Sequence, residues 1–123
     1  MNENELIEII QGEDRPLAIQ LMERACGKKR VFDLTDTTEI KAIFQQEVGG
    51  LMELTLTGGK VEIQSSANGE ILVKFETSDT EALRVGKCQS FEIEVTKSTD
   101  GNVTTDTFIW QFSEVLTVKK RLS

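Results

Sequence analysis

The sequence predicts an all-β fold of about eight or nine antiparallel strands, arranged as a sandwich or a barrel. Apolar residues alternate with polar ones along most of the chain, which is the period of half-buried strands. Glycine-containing dipeptides separate the alternating runs and supply the positive φ values that tight hairpin turns need. There are four such signals: Gly49-Gly50, Gly58-Gly59, Asn68-Gly69 and Asp100-Gly101. They predict a meander of neighbouring antiparallel strands.

The N-terminal part contributes two predicted strands joined by a turn. An apolar run covers Leu6 to Ile10, and a second run alternates from Leu17 to Leu21 after Pro16. The polar residues 11–15 between them are typical of a turn. Residues 34–40 are rich in threonine and aspartate, which fit either a short turn or the entry into a strand.

The central strands follow from the same period of two. Alternation is found over residues 40–44, 52–56, 61–63, 71–75 and 91–95. Between the last two runs, Ser78 and Glu81 have the S-x-x-E spacing of a capping box, which predicts one short helical turn near residues 78–83.

The final run carries three aromatic residues on one parity, Phe108, Trp110 and Phe112. They are predicted to anchor the core. A single exposed tryptophan can also stack on a sugar, so Trp110 supports an alternative carbohydrate-binding function. Its shared parity with two phenylalanines favours the interior instead.

Length and charge restrict the protein further. A chain of 123 residues and 13.8 kDa buries about 13,000 Å² on folding, enough for one core. Residues 1–123 are therefore predicted to form a single domain. The net charge of −7 and the shortness of the basic groups 28–30 and 119–121 argue against a nucleic-acid partner. No apolar run approaches the about 18 residues of a membrane span, and no signal peptide is recognisable. We therefore expect no membrane association, and synthesis in the cytoplasm.

No catalytic or metal-binding pattern is recognisable in the sequence. The chain has no histidine and no tyrosine, which removes the commonest general bases, so we expect a protein without enzymatic activity or cofactor. Residues 98–102 are rich in oxygen ligands but lack the spacing of a calcium loop, so a hairpin turn is predicted there. Cys26 and Cys88 have no C-x-x-C partner and are predicted to be free thiols.

The order of these signals resembles one family over residues 6 to about 120. The residues that carry the likeness are Gly12-Glu-Asp-Arg-Pro-Leu17, Phe32-Asp-Leu-Thr35, Asn68-Gly69, Thr77-Ser-Asp-Thr80, Leu83, Gly86 and Phe91-Glu-Ile-Glu-Val95. They resemble the small immunoglobulin-like domain of baseplate and other virion proteins of tailed bacteriophages, including the N-terminal domain of the upper baseplate protein family. Cys88 stands where that family commonly has an aromatic residue, and the family's domain often heads a longer protein.

The resemblance implies an immunoglobulin-like β-sandwich that acts as a non-enzymatic structural protein of a phage particle, in the baseplate, tail, neck or capsid decoration. It also implies other virion proteins as partners, is compatible with a homo-oligomer, and implies a location in the virion after assembly in the host cytoplasm. Two alternatives are a carbohydrate- or host-surface-binding module and an intracellular phage-encoded adaptor or inhibitor. The acidic charge is the argument for the last one.

The N-terminal residues 1–11 are the best candidate for a partner-binding segment. Leu6, Ile7, Ile9 and Ile10 form a short apolar run close to a terminus, preceded by charged residues that would keep an unpaired strand from aggregating. We expect either an arm that pairs with another subunit or an ordinary first strand of the sandwich.

Overall fold

The computed structural model describes residues 7–46, 50–82, 86–111 and 116–119, which form eleven strands and one short helix. The elements are β1 (Ile7–Ile10), β2 (Arg15–Gln20), β3 (Met22–Ala25), β4 (Lys28–Val31), β5 (Thr37–Gln46), β6 (Gly50–Thr55), β7 (Val61–Ser65), β8 (Glu70–Phe75), α1 (Thr77–Ala82), β9 (Gly86–Thr99), β10 (Asn102–Gln111) and β11 (Leu116–Lys119). The predicted β-rich fold with one short helix is confirmed. The strands beyond the predicted eight or nine come from β3 and β4 and from the division of the last run into β10 and β11.

These strands form two sheets and one separate hairpin. The larger sheet has the order β1-β11-β9-β5-β6, with β10 also paired to β9, and the smaller sheet has the order β2-β8-β7. Strands β3 and β4 pair only with each other among the described strands. The order places β9 at the centre of the larger sheet, between β5 on one side and β10 and β11 on the other.

Strand β1 departs from the predicted antiparallel arrangement. It pairs in parallel with β11, with Ile7 opposite Leu116 and Ile10 opposite Lys119. Because β2 lies in the smaller sheet, the residues between β1 and β2 connect two sheets and do not form a hairpin. A parallel pair needs a long connection, and here almost the whole domain lies between its two strands.

The meander prediction is also wrong at Gly58-Gly59. These residues connect β6 of the larger sheet to β7 of the smaller one. We call this connection from β6 to β7 the crossover. The Glu39 carboxylate stabilises its start, since it accepts hydrogen bonds from the Thr57 amide at 3.1 Å and the Thr57 hydroxyl at 2.6 Å. A turn signal reveals that the chain changes direction, but not which strand it joins next.

The other three turn signals connect paired antiparallel strands, as predicted. Asn68-Gly69 joins β7 to β8, and Asp100-Gly101 joins β9 to β10. Strands β5 and β6 also pair, although Gly49 itself lies outside the described residues.

Both sheets contribute to one buried core. Phe44 of β5 and Phe75 of β8 belong to different sheets, and their ring centroids are 4.8 Å apart. Phe44 also stacks on Phe91 of β9 at 4.6 Å. The buried cluster consists of Ile9, Leu17, Ile19, Leu21, Phe32, Leu34, Ile40, Ala42, Phe44, Leu54, Val61, Ile71, Val73, Phe75, Phe91, Ile93 and Val95. Most of these are the residues that the alternation places on the inner faces.

Helix α1 begins two residues earlier than its predicted capping pair implies. Since Thr77 is the first helical residue, Glu76 is the N-cap and Asp79 the third helical position. The Asp79 carboxylate accepts a hydrogen bond from the Glu76 amide at 3.0 Å and forms an ion pair with Lys60 Nζ at 2.8 Å. The reciprocal bond of a capping box is therefore made from Asp79, not from Glu81. No helix of the described residues is long and apolar enough to cross a membrane.

Helix α1 is hydrogen-bonded to the segment that connects β1 of the larger sheet to β2 of the smaller sheet. The buried Thr80 hydroxyl donates to the Glu13 carbonyl at 2.9 Å, and the Thr77 hydroxyl donates to the Asp14 carboxylate at 2.9 Å. These bonds join the helix to the residues that lead from β1 into β2.

Glu39 makes the stability of the crossover dependent on pH. Burial raises the pKa of its carboxyl group, but hydrogen bonds from the Thr57 hydroxyl, the Thr57 amide and the Ile40 amide outweigh burial, so the pKa lies below the ordinary 4.5. A depressed pKa in the folded state stabilises the fold above the unfolded pKa, and this stabilisation is lost as the pH falls through the folded value.

We therefore expect Glu39→Gln to lower the urea midpoint at neutral pH and to flatten its decline below about pH 4.5. Glu53→Gln, which changes an exposed carboxylate on β6, is the control and should follow the wild type. Urea unfolding followed by circular dichroism from about pH 7 to about pH 3 measures both effects. If the urea midpoint of Glu39→Gln fell with decreasing pH as steeply as that of the wild type, the Glu39 carboxylate would not stabilise the crossover.

Candidate interaction surface

The hairpin of β3 and β4 is the largest feature that the sequence patterns did not predict. Its two-residue turn consists of Cys26 and Gly27, whose φ angles of 53° and 77° are both positive, as a type I′ turn requires. Residues 26–30 are all exposed, so the hairpin lacks the apolar alternation that marks half-buried strands. The available signal was the glycine at the second turn position.

This hairpin is basic on an acidic protein. It carries Arg24, Lys28, Lys29 and Arg30 against one carboxylate, Glu23, which gives it a net charge of +3 in a chain of −7. Arg30 Nε forms an exposed ion pair with Glu23 at 2.8 Å, and Cys26 at the tip is an exposed free thiol. The hairpin therefore carries a local positive charge, which would attract an acidic surface.

The base of the hairpin is attached to the turn between β7 and β8. The Leu21 amide donates to the Gly69 carbonyl at 2.8 Å, and the Phe32 amide donates to the Leu21 carbonyl at 2.9 Å. The Leu34 amide adds a bond to the Ser66 carbonyl at 2.9 Å. Because Leu21, Phe32 and Leu34 are also buried, the hairpin projects from a fixed base.

The same connection is attached to the hairpin of β9 and β10 on its other side. The rings of Phe32 and Phe108 meet edge to face with centroids 5.0 Å apart. Lys97 Nζ lies 4.3 Å from the centroid of the Phe32 ring and donates to the Asp33 carbonyl. Asp36 accepts hydrogen bonds from the Ser98 amide through its carbonyl and from the Thr99 hydroxyl through its carboxylate.

Residues 21–36, the turn 66–69 and the β9–β10 hairpin thus meet at one end of the molecule, which we call the loop end. A local hydrogen-bond network orders its chain. The hydroxyl and the amide of Thr35 both donate to Asp33 and lower the pKa of its carboxyl group. This end combines a buried, hydrogen-bonded base with exposed hairpins.

The β9–β10 hairpin is a regular two-stranded ribbon. Its ten residue pairs run without a bulge from Asn102 opposite Thr99 to Gln111 opposite Ser90. The turn residues Asp100 and Gly101 have φ angles of 49° and 83°, again a type I′ turn. The hairpin predicted for residues 98–102 is confirmed, and no group of three or more metal-ligating side chains occurs in the part of the chain that the structure describes.

Strand β10 forms one edge of the larger sheet. It pairs with β9, and no other described strand pairs with it. All residues from Asn102 to Thr107 are exposed, and 67% of Val103 is accessible to solvent. The ribbon therefore leaves a row of backbone groups available to an added strand.

The structure describes the four residues of the predicted N-terminal arm to different extents. Leu6 lies outside the described residues, and Ile7 is placed only through its backbone pairing with Leu116. Ile9 is fully buried in the core, whereas Ile10 is 36% exposed. Strand β1 pairs with β11 of its own chain, and the binding of this segment to another subunit stays a prediction.

Two other sequence predictions are only partly covered. Phe108 is half-buried and packs against the core. The backbone of Trp110 pairs with Phe91, but its side chain, like that of Cys88 and the whole of Phe112, lies outside the described residues. The predicted interior position of Trp110 therefore stays a prediction.

Comparisons with known proteins add no family assignment. No family model matches the chain, and no curated protein matches it.

Proposed function

We propose that the chain is an immunoglobulin-like β-sandwich that serves as a non-enzymatic structural subunit of a tailed-phage particle. The observation that carries the proposal is the strand order. Immunoglobulin domains oppose a sheet containing strands B, E and D to one containing C, F and G, and variable-type domains extend the second sheet with C′. In the smaller sheet, β2, β8 and β7 correspond to B, E and D. In the larger sheet, β5 corresponds to C, β9 to F, β10 with β11 to G, and β6 to C′.

The position of the remaining elements supports the same topology. Helix α1 lies between β8 and β9, where the chain crosses from one sheet to the other. The ring contact between Phe44 and Phe75 joins the two sheets face to face. These features agree with the order of motifs by which the sequence resembles the small domain of baseplate and other virion proteins.

A structural role also suits the exposed surfaces. The basic β3–β4 hairpin, the free edge of β10 and the half-exposed Ile10 on β1 each offer contacts to protein partners. Extended edges and loop ends are the parts of a β-sandwich through which strand addition and subunit contact occur. Other virion proteins are the proposed partners, and the virion is the proposed location.

The test is to quantify the chain in purified particles of the phage that encodes it. We expect a fixed copy number per particle by quantitative mass spectrometry, retained through density-gradient purification. Ile10→Lys, on the half-exposed position of β1, should lower incorporation, whereas Leu51→Lys, on a 60% exposed position of β6, should not.

A chain that is abundant in infected cells but absent from particles would contradict the proposal and favour an intracellular adaptor or inhibitor. Binding to isolated host-surface glycan without particle association would favour the carbohydrate-binding alternative. Equal incorporation of Ile10→Lys and the wild type would remove β1 from the contact while leaving the structural role in place.

A further inference from the structure

We propose that two copies of this chain associate by antiparallel pairing of their β10 strands, so that the two larger sheets become one continuous sheet. The inference goes beyond the proposed function and does not depend on the phage assignment, because it concerns the isolated protein in solution.

Alternate backbone groups of β10 point toward its free edge. The Ser98 amide donates to the Asp36 carbonyl, so it points away from β10. Ser98 and Val103 are direct partners and therefore form a non-hydrogen-bonded pair. In such a pair the amide and carbonyl of both residues point outward, so those of Val103 face the free edge. Because the direction alternates along a strand, those of Thr105 and Thr107 face it too.

Strand β10 has less of the usual protection against pairing than the other edge strands. Natural edge strands are kept short or carry proline, bulges or charged residues. Strand β2 contains Arg15 and Pro16, β6 and β7 have six and five residues with one glutamate each, and β1 has four residues. Strand β10 also carries one charged residue, Asp106, but it is longer, with ten residues, and has no proline and no bulge against β9.

Strand β10 is complementary to a second copy of itself. A two-fold axis at Thr105 places Val103 opposite Thr107 and Thr104 opposite Asp106. Val103, Thr105 and Thr107 then supply the hydrogen-bonded pairs, in agreement with the direction of their backbone groups. The Thr104 hydroxyl can donate to the Asp106 carboxylate of the other copy.

Charge favours this register over the two registers whose axis lies one residue to either side. Thr104 is the direct partner of Lys97 on β9. In this register, Asp106 of one copy lies opposite Thr104 of the second copy, and Lys97 of the second copy is the next residue across the sheet. The backbones of Asp106 and Lys97 are then two strand spacings apart, about 9.6 Å. Moving the axis to Asp106 would place two Asp106 carboxylates opposite each other, which is unfavourable. Moving it to Thr104 would place Asp106 opposite Asn102, whose partner on β9 is the uncharged Thr99. A second copy is thus the occupant that the charges of this edge fit.

Space is available for the pairing. Every residue from 102 to 107 is exposed on both faces of the ribbon. The pairing would cover Val103, which is 67% exposed, with Thr107 of the other copy. Cross-strand pairs of β-branched residues are among those that stabilise antiparallel sheets.

The experiment is sedimentation equilibrium of the purified chain over a concentration series. We expect the wild type to dimerise reversibly and Thr105→Pro to dimerise at least about tenfold more weakly, because both hydrogen bonds at the axis need the Thr105 amide. Thr105→Val keeps the amide and the β-branched shape, so it should dimerise like the wild type. Since the Thr105 amide points away from β9, proline removes no hydrogen bond between β9 and β10.

A charge exchange tests the register and does not depend on the proline variant folding. Thr105→Lys and Thr105→Asp each place two like-charged residues directly opposite each other at the axis, with Cα atoms about 5.5 Å apart, so each alone should be monomeric. Their equimolar mixture should form a one-to-one heterodimer. A wild type that stays monomeric up to about 1 mM, or a mixture that forms no heterodimer while the wild type dimerises, would overturn the proposal. Particle incorporation is measured separately, so failure here leaves the proposed function standing.

Discussion

Phe44→Ala is expected to lower the free energy of unfolding by about 3–5 kcal/mol, the largest single-residue effect that the structure predicts. Phe44 is fully buried and contacts aromatic rings in two directions, Phe75 on the opposite sheet and Phe91 on the neighbouring strand. Truncation removes the ring's burial and both ring contacts, and the cavity would lie where the two sheets meet, a site that cannot collapse without moving a whole sheet.

Urea unfolding at about 25 °C, followed by far-ultraviolet circular dichroism, measures this loss. Leu51→Ala is the matched control, because it truncates an aliphatic side chain that is 60% exposed on β6 and should change the stability by less than about 0.5 kcal/mol. A loss of under about 1 kcal/mol in Phe44→Ala would contradict the packing of the two sheets around this ring.

Gly69→Ala is expected to have the second largest effect. Gly69 has a φ of +65°, and a Cβ there would lie 2.5 Å from the Phe32 carbonyl oxygen and 2.8 Å from the Leu21 carbonyl oxygen. A residue other than glycine already costs about 1–3 kcal/mol in this backbone region. Because the obstructing atoms belong to the backbone, relief would require the base of the β3–β4 hairpin to move.

Gly59→Ala separates the cost of a positive φ angle from the cost of the steric conflict with backbone atoms. Gly59 has a φ of +80°, but a Cβ there would meet nothing within 4 Å. Its urea midpoint should fall by the backbone cost alone, and that of Gly69→Ala should fall further. Equal losses in the two variants would show that Gly69 is required for its φ angle and not for the close approach of the hairpin base.

The position of Gly69 links the stability of the fold to the geometry of the loop end. Its carbonyl accepts from Leu21, and its missing side chain leaves room for the carbonyls of Leu21 and Phe32. Moving these residues would shift the base of the basic hairpin and, through Phe32, the contact with Phe108 on β10. The Gly69→Ala variant is thus expected to disturb the loop end as a unit.

Residues with regular alternation were placed correctly by the sequence. Leu17, Ile19 and Leu21, for example, are buried as their period predicts. Asn68-Gly69 and Asp100-Gly101 were recognised as turns because positive φ favours glycine and asparagine or aspartate. The β3–β4 hairpin was missed, since its described side chains are exposed or half-buried and no apolar period marks its strands. The candidate site was therefore less predictable than the core.

What the sequence determined by itself is local: which residues face inward, where the chain turns, and that one short helix follows β8. These properties depend on the side chain and the backbone preferences of neighbouring residues, so they can be recognised from the pattern. What the tertiary structure decided is which strands become partners. Gly58-Gly59 crosses between sheets, where a hairpin was predicted, and β1 pairs in parallel with β11. Partner choice depends on how the two apolar faces cover each other, and closing a long loop costs only slightly more free energy than closing a short one.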